Sequence, residues 1–281
     1  MILPASKPAV IVVSSHVAAG TVGNRVAVFA LERLGFPVVA VPTVTLSWHP
    51  GEGPATRIVP LADAFAALVD DIIGADWLDE VGGVLSGYLG APAQVAAVAA
   101  LVEAVKRRNP EARYLCDPVT GDAGGPYVAA DIVAAIGERL LPLADMATPN
   151  RHELGLLCGE RAADEAALIA TARRTGVGEV LVTSACAEPG TSANLLIVPD
   201  GVHRARHAAR PQAPNGTGDL LAALYLGHRL DGRPAPEALG RAVGSTLRLV
   251  EMAGGATRLP LAEGQAVLVE PEWAVPVEPI A

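Results

Sequence analysis

Apolar residues along this 281-residue chain recur with two periods. Continuous aliphatic runs predict buried strands at Ala9–Val13, Pro37–Val41, Gly83–Ser86, Arg113–Cys116, Met146–Thr148 and Glu179–Thr183. Between them, apolar residues fall three to four apart, the spacing of one helix face. That spacing predicts helices over Gly23–Leu34, Leu61–Ile73, Ala91–Arg107, Ala129–Leu140, Arg151–Cys158 and Glu165–Thr175. Gly35 and Gly159 stand where helix-ending glycines belong, and Lys106-Arg107-Arg108 suits a helix C-terminus. A hairpin is predicted for Ala193–Val198 and Val202–His207 around Asp200-Gly201, then helices over Asp219–Arg229 and Ala235–Met252. The tail after Gly254 has no clear period.

Strands that are apolar on both faces and alternate with helices predict an α/β fold. The sheet is mainly parallel, with helices on both sides, in one domain spanning residues 1–281. Ligands of such sheets bind beyond the carboxyl ends of the strands. Polar residues collect there: Ser14-Ser15-His16, Thr43, Trp48-His49-Pro50, Ser86-Gly87-Tyr88, Asp117 with Asp122, Thr148 with Asn150 and Glu153, and Thr183-Ser184. Asn215-Gly216-Thr217-Gly218-Asp219 then opens a helix.

Each motif has two readings. Glycines at a helix start aim backbone N–H groups at an anion, and an Asp in that first turn can take a proton from a hydroxyl. The same run is also an ordinary cap, with Thr217 capping and Asp219 favoured by the dipole. Asp117, Asp122 and Glu153 suit Mg²⁺ beside phosphates, yet Asp117-Pro118 is a common strand exit and Glu153 a common first-turn acid. His16 and His49 are candidates to bind a polar aromatic substrate or to be satisfied loop residues; Trp48 and Tyr88 are candidates to stack or to pack. His203 and His207 lie in a predicted strand, where helical metal-ligand spacing does not apply.

Composition narrows the classes. A net charge of −9 without a basic run argues against nucleic acid or a membrane surface as partner. No stretch is long and apolar enough for a membrane span, and the N-terminal run reads as a first strand, so a cytoplasmic address is expected. Cys116, Cys158 and Cys186 are widely spaced and read as reduced, mostly buried thiols. Lys7 and Lys106 are the only lysines among 21 basic residues, and no P-loop lysine motif is present.

Seven stretches, in order, resemble the pyridoxal kinase branch of the ribokinase-like superfamily over nearly the whole chain: SSHVAAGTVGNRVAVFALERLG, SWHPG, SGYLG, CDPVTGD, ATPNRHELGLLCG, VLVTS and GTGDLLAALYLGH. The resemblance implies a three-layer αβα fold with a short β flap, a homodimer, and transfer of the ATP γ-phosphoryl group to the 5′-hydroxymethyl of pyridoxal, pyridoxine or pyridoxamine. It implies Asp219 as the base and Gly216, Thr217 and Gly218 as the anion hole. It places Ser15, His49 and Tyr88 around the ring, and Asn150, Glu153, Thr183 and Ser184 on ATP, with Asp117 and Thr217 nearby. It assigns Asp122 and Glu153 to Mg²⁺, and Asp117, Thr148 and Thr183 to a monovalent cation, K⁺ or Na⁺. The Gly121–Pro126 loop is expected to close over ATP. Absence of a nearby lysine suits an aldehyde substrate, which an amine would trap. Trp48, Pro50 and Asn215 depart from the branch and all lie near the acceptor pocket. A kinase for hydroxymethylpyrimidine or another small aromatic alcohol is one alternative, although that branch often carries Cys at the position of Asp219. A non-catalytic nucleotide- or vitamer-binding protein is another.

Overall fold

The first strand shows why the sheet is covered on both faces. β1 (Ala9–Val17) sends alternate residues to opposite sides. Val10 and Val12 join one helical layer, Ile11 and Val13 the other, and all four are fully buried. Each such burial stabilises the fold by about 1.5–3 kcal/mol. The computed structural model describes residues 7–186, 188–210, 212–269 and 271–280.

After β1 come α1 (Asn24–Arg33), β2 (Val38–Leu46), β3 (Arg57–Ile58), α2 (Ala62–Ile73), β4 (Val81–Ser86), α3 (Pro92–Arg108) and β5 (Arg113–Cys116). A small ribbon follows, β6 (Gly121–Asp122) and β7 (Gly125–Pro126), then α4 (Ala130–Ala135), β8 (Met146–Ala147), α5 (Arg151–Cys158), α6 (Glu165–Arg174) and β9 (Glu179–Cys186). The chain ends with β10 (Thr191–Val198), β11 (Gly201–Ala208), α7 (Thr217–Leu230), α8 (Ala235–Ala253) and β12 (Val277–Ile280).

The main sheet has the order β12-β11-β10-β9-β8-β5-β4-β1-β2-β3. The strands from β9 to β2 are parallel; β3 at one edge and β10, β11 and β12 at the other are antiparallel. Helices α1, α7 and α8 cover one face, and α2, α3 and α4 the other. This is the expected three-layer αβα architecture, with β6–β7 as the small flap apart from the main sheet. Strand order reverses between β1 and β4, which opens a crevice at their carboxyl ends. No helix among the described residues is long and apolar enough to cross a membrane.

Three boundaries differ from the periodicity. β1, β2 and β9 run on through polar residues, because ladder bonds continue past the apolar runs: His16 pairs Thr45, and Ala193 pairs Cys186. The predicted helix over Ala129–Leu140 is α only to Ala135, and Ile136–Leu140 form a wider turn before Pro142, whose ring cannot continue a helix. The unassigned tail supplies β12, where Pro279 is tolerated because the strand lies at an edge. Both lysines are structural, with Lys7 paired to Asp231 and Lys106 to Asp145. Cys116 is buried and Cys158 partly so; the Cys186 side chain lies outside the described residues.

Candidate active site

Beyond the carboxyl ends of the parallel strands lies a cavity of about 890 Å³. Its centre is the start of α7. Gly216 adopts a left-handed φ of 89°, and a Cβ there would overlap the Thr21 carbonyl oxygen. No side chain caps this helix, so the first-turn N–H groups face the cavity available for an anion. Around Gly218 there is open space within 4 Å of where a Cβ would stand. Asp219 follows in the same turn, and its carboxylate accepts from the Gly23 N–H. Burial pushes the Asp219 carboxyl up to about 6, against the pull of that bond. Gly23 has a φ of 55°, and a Cβ on it would overlap the Ser15 carbonyl.

One end of the cavity is formed by Ser15, His49 and Tyr88. A register shift in β1 between Ser14 and His16 turns Ser15 towards the cavity. Asn24 holds the shift by donating to the Ser14 and Val41 carbonyls at 3.0 and 3.2 Å. Tyr88 is fixed through its backbone: its N–H donates to Ser14 Oγ at 3.2 Å, and its carbonyl accepts from Thr43 Oγ1 at 2.6 Å. Nδ1 of His49 accepts from the Gly51 N–H at 3.1 Å, so the ring proton sits on Nε2. Burial lowers the His49 pKa, and the nearby Glu52 charge opposes this. Pro50 and Asn215 also line the cavity. Two aromatic candidates do not. Trp48 is 38% exposed and donates Nε1–H to the Gly53 carbonyl, and neither it nor His16 lines the cavity.

The other end gathers Asp117, Asp122, Thr148, Asn150, Glu153, Thr183 and Ser184. Thr148 Oγ1 donates to Asp117 Oδ1 at 2.8 Å. Burial pushes the Asp117 carboxyl up to about 8, and the Asp219 charge adds to this. Glu153 is raised by burial first and by Asp117 second, although it accepts from the backbone N–H groups of Asn150 and Thr120 at 2.8 and 3.1 Å. Asn150 and Glu153 form a complete capping box at α5. The amide of Asn150 also donates to the Gly121 carbonyl at 2.8 Å, tying the β6–β7 ribbon to the site. Asp122, nearer solvent, is held low by the Tyr127 hydroxyl. Ser184 is the one non-glycine residue with positive φ among those described, at 50°.

Asp117 and Glu153 are buried and Asp219 is partly buried, and none of the three makes an ion pair among the described residues. Unpaired buried carboxylates are costly, and their raised pKa values express that cost. No three His, Cys, Asp or Glu side chains among the described residues converge to hold a metal unaided. This donor set fits a hard cation that takes one or two carboxylates and completes its shell with water and phosphate oxygens.

Arg57, Tyr127, Asn194, His207 and Arg210 also line the cavity and were not singled out as site residues by sequence. Asn194 had a signal, an amide inside the apolar run of β10. Nε2 of His207 lies 3.4 Å from its Nδ2. A wall from α8, including Val243, Leu247 and Val250, also lines the cavity. It was invisible in sequence because those residues read simply as the core face of a helix.

Known proteins share both fold and sequence. Residues 69–257 match the family described as phosphomethylpyrimidine kinase. The pyridoxal kinase PdxY of Deinococcus radiodurans is 37% identical over 277 residues, covering 94% of this chain and 92% of that protein. The pyridoxine/pyridoxal/pyridoxamine kinase of Bordetella pertussis is 38% identical over 251 residues, covering 86% and 88%. The pyridoxal kinase of Leishmania donovani, solved in complex with ADP and pyridoxamine, superposes with a TM-score of 0.92 at 28% identity, covering 98% of this chain and all of that one. The chain belongs to the pyridoxal kinase branch of the ribokinase-like superfamily.

Proposed function

We propose that the chain is a cytoplasmic, homodimeric kinase that phosphorylates the 5′-hydroxymethyl group of pyridoxal, pyridoxine and pyridoxamine with ATP. The observation that carries the reading is the placement of Asp219. It is a partly buried carboxylate with a raised pKa, at an uncapped helix start, in one cavity with every residue expected to contact acceptor and nucleotide. Asp219 takes the proton of the alcohol as its oxygen bonds to the γ-phosphorus. The bond from that phosphorus to the β–γ bridging oxygen breaks, ADP leaves, and the proton passes to solvent. N–H groups of Gly216, Thr217 and Gly218 steady the charge on the transferring oxygens.

Ser15, His49 and Tyr88 hold the ring, with Nε2–H of His49 as a donor. Asn150, Glu153, Thr183, Ser184 and Thr217 hold the nucleotide. Asp122 and Glu153 would hold Mg²⁺, and Asp117, Thr148 and Thr183 a K⁺ or Na⁺ ion. These cations supply neutralisation of phosphate charge and relieve the buried carboxylates.

A coupled ADP assay with the three vitamers, in millimolar Mg²⁺ and K⁺, tests the reading. Turnover of at least one is expected, and none with any of them sinks it. The matched family's description, phosphomethylpyrimidine kinase, favours a second reading, phosphorylation of hydroxymethylpyrimidine or of its phosphate. Preferential turnover of that alcohol in the same assay would select it.

A further inference from the structure

The acceptor end of the cavity carries a cation that the chemistry above does not use. β3 pairs antiparallel with β2 so that Arg57 stands opposite Leu46. Directly opposed residues project from the same face, and both line the cavity. Ile58, the next residue, is 59% exposed on the other side. Nη2 of Arg57 lies 3.3 Å from the Tyr88 hydroxyl and 3.3 Å from the Gly90 carbonyl, so the guanidinium sits over the same end as Tyr88. Both bonds are long, and they engage one nitrogen of a group with five N–H donors.

No carboxylate lies within ion-pair distance of Arg57 among the described residues. The other cavity arginine, Arg210, is paired with Glu251 at 2.7 Å and stands at the opposite end, where a second cavity shares it with Ser184. Pro50 also lines the cavity and carries no N–H to donate. Arg57 is exposed, so water hydrates its remaining N–H groups in the open site, and an acceptor that places an anionic oxygen there would exchange that water for a charge-assisted hydrogen bond.

We propose that Arg57 is a specificity-determining residue that selects acceptors bearing an ionised ring hydroxyl beside the reacting hydroxymethyl arm. This inference rests on the vitamer kinase reading above. It names 3-hydroxypyridines as the favoured class, because their ring hydroxyl ionises readily while the ring nitrogen keeps a proton. The guanidinium donates to that phenolate oxygen, and Tyr88, held against it, keeps the ring in register with Asp219.

The experiment compares pyridoxine with its 3-deoxy analogue in wild type, Arg57→Lys and Arg57→Met, with Mg²⁺, K⁺ and ATP held constant. In wild type, KM for the 3-deoxy analogue is expected to exceed that for pyridoxine by about 10- to 100-fold, the worth of a charge-assisted hydrogen bond. R57M should erase that ratio, mainly by raising KM for pyridoxine, while R57K keeps part of it. The wild-type ratio should shrink as pH falls and the ring hydroxyl protonates, and the R57M ratio should stay flat. A ratio that survives in R57M overturns the inference, as does an equal loss for both substrates, which a purely structural arginine would give. A wild type that binds and turns over only a pyrimidine phosphate, with R57M losing it, assigns Arg57 to a phosphate and overturns it as well. Wild type inactive on every vitamer removes the kinase reading and this inference together. Vitamer turnover without the 3-hydroxyl preference removes only this one.

Discussion

At the residue scale, two glycines three positions from Asp219 or closer make opposite demands. Gly216 needs its left-handed backbone and has the Thr21 carbonyl where a Cβ would go, so Gly216→Ala should lose activity and about 1–3 kcal/mol of stability. Gly218 has open space around it, so Gly218→Ala should keep the melting temperature and lose turnover, because its methyl group enters the anion hole. Thermal melts paired with the ADP assay separate the two; a destabilised Gly218→Ala would contradict the assignment. Asp219→Asn should lower kcat by about 10²- to 10⁴-fold with ATP binding retained, as expected for removal of a general base. Since the Asp219 carboxyl is pushed up to about 6 and must be ionised to accept a proton, kcat/KM should fall below that pH. A pH–rate profile flat down to pH 5 would exclude Asp219 as the group that titrates.

At the scale of elements, α5 and α7 meet the site in opposite ways. α7 begins uncapped and offers its N–H groups to the ligand, whereas α5 is closed by the Asn150–Glu153 box. The box spends the helix start on fixing a carboxylate, and the second arm of Asn150 anchors the β6–β7 ribbon through the Gly121 carbonyl. Asn150→Asp keeps the capping oxygen and removes that donor. It is expected to change stability by less than the ~1 kcal/mol lost on removing a cap, and to raise KM for ATP. Asn150→Ala loses both. Equal ATP KM in wild type and Asn150→Asp would show that the ribbon anchor has no part in nucleotide binding. Most elements were legible as patterns, because an apolar run or stripe reports burial directly. The ribbon and β3 were not, since two-residue strands have no period, and the strand extensions through Ser14–Val17 and Ser184–Cys186 are held by ladder bonds that side-chain polarity does not reveal.

For the whole molecule, the concentration of acid at one edge has a thermodynamic consequence. Asp219 at about 6 and Asp117 at about 8 hold protons in the fold that an unfolded chain releases near pH ~4. Between those values the folded state binds more protons, so rising pH favours unfolding. Their stabilising contribution is complete below about pH 4 and is lost as pH passes first 6 and then 8. Cation-free protein in chelator should therefore melt progressively lower from pH 5 to pH 8, and Asp117→Asn should flatten that slope. Mg²⁺ with K⁺ should raise the melting temperature more at pH 8 than at pH 5, because cations bind the ionised carboxylates. Equal slopes in wild type and Asp117→Asn would remove Asp117 as the source.

The sequence by itself determined the α/β layering, the strand ends that carry the polar residues, and the exclusion of lysine chemistry, because each of these is written in local pattern or in the presence of a residue type. All fourteen residues expected at the site do line one cavity. Only the tertiary structure decided which neighbours share that cavity. Trp48 falls outside it, while Arg57, Asn194, His207 and the α8 wall come in from segments distant along the chain. It also decided the state of Asp219. Gly-Thr-Gly-Asp alone reads as a cap or as a catalytic site, and the raised pKa comes from burial in the fold, against the pull of the Gly23 N–H from about two hundred residues away in the sequence.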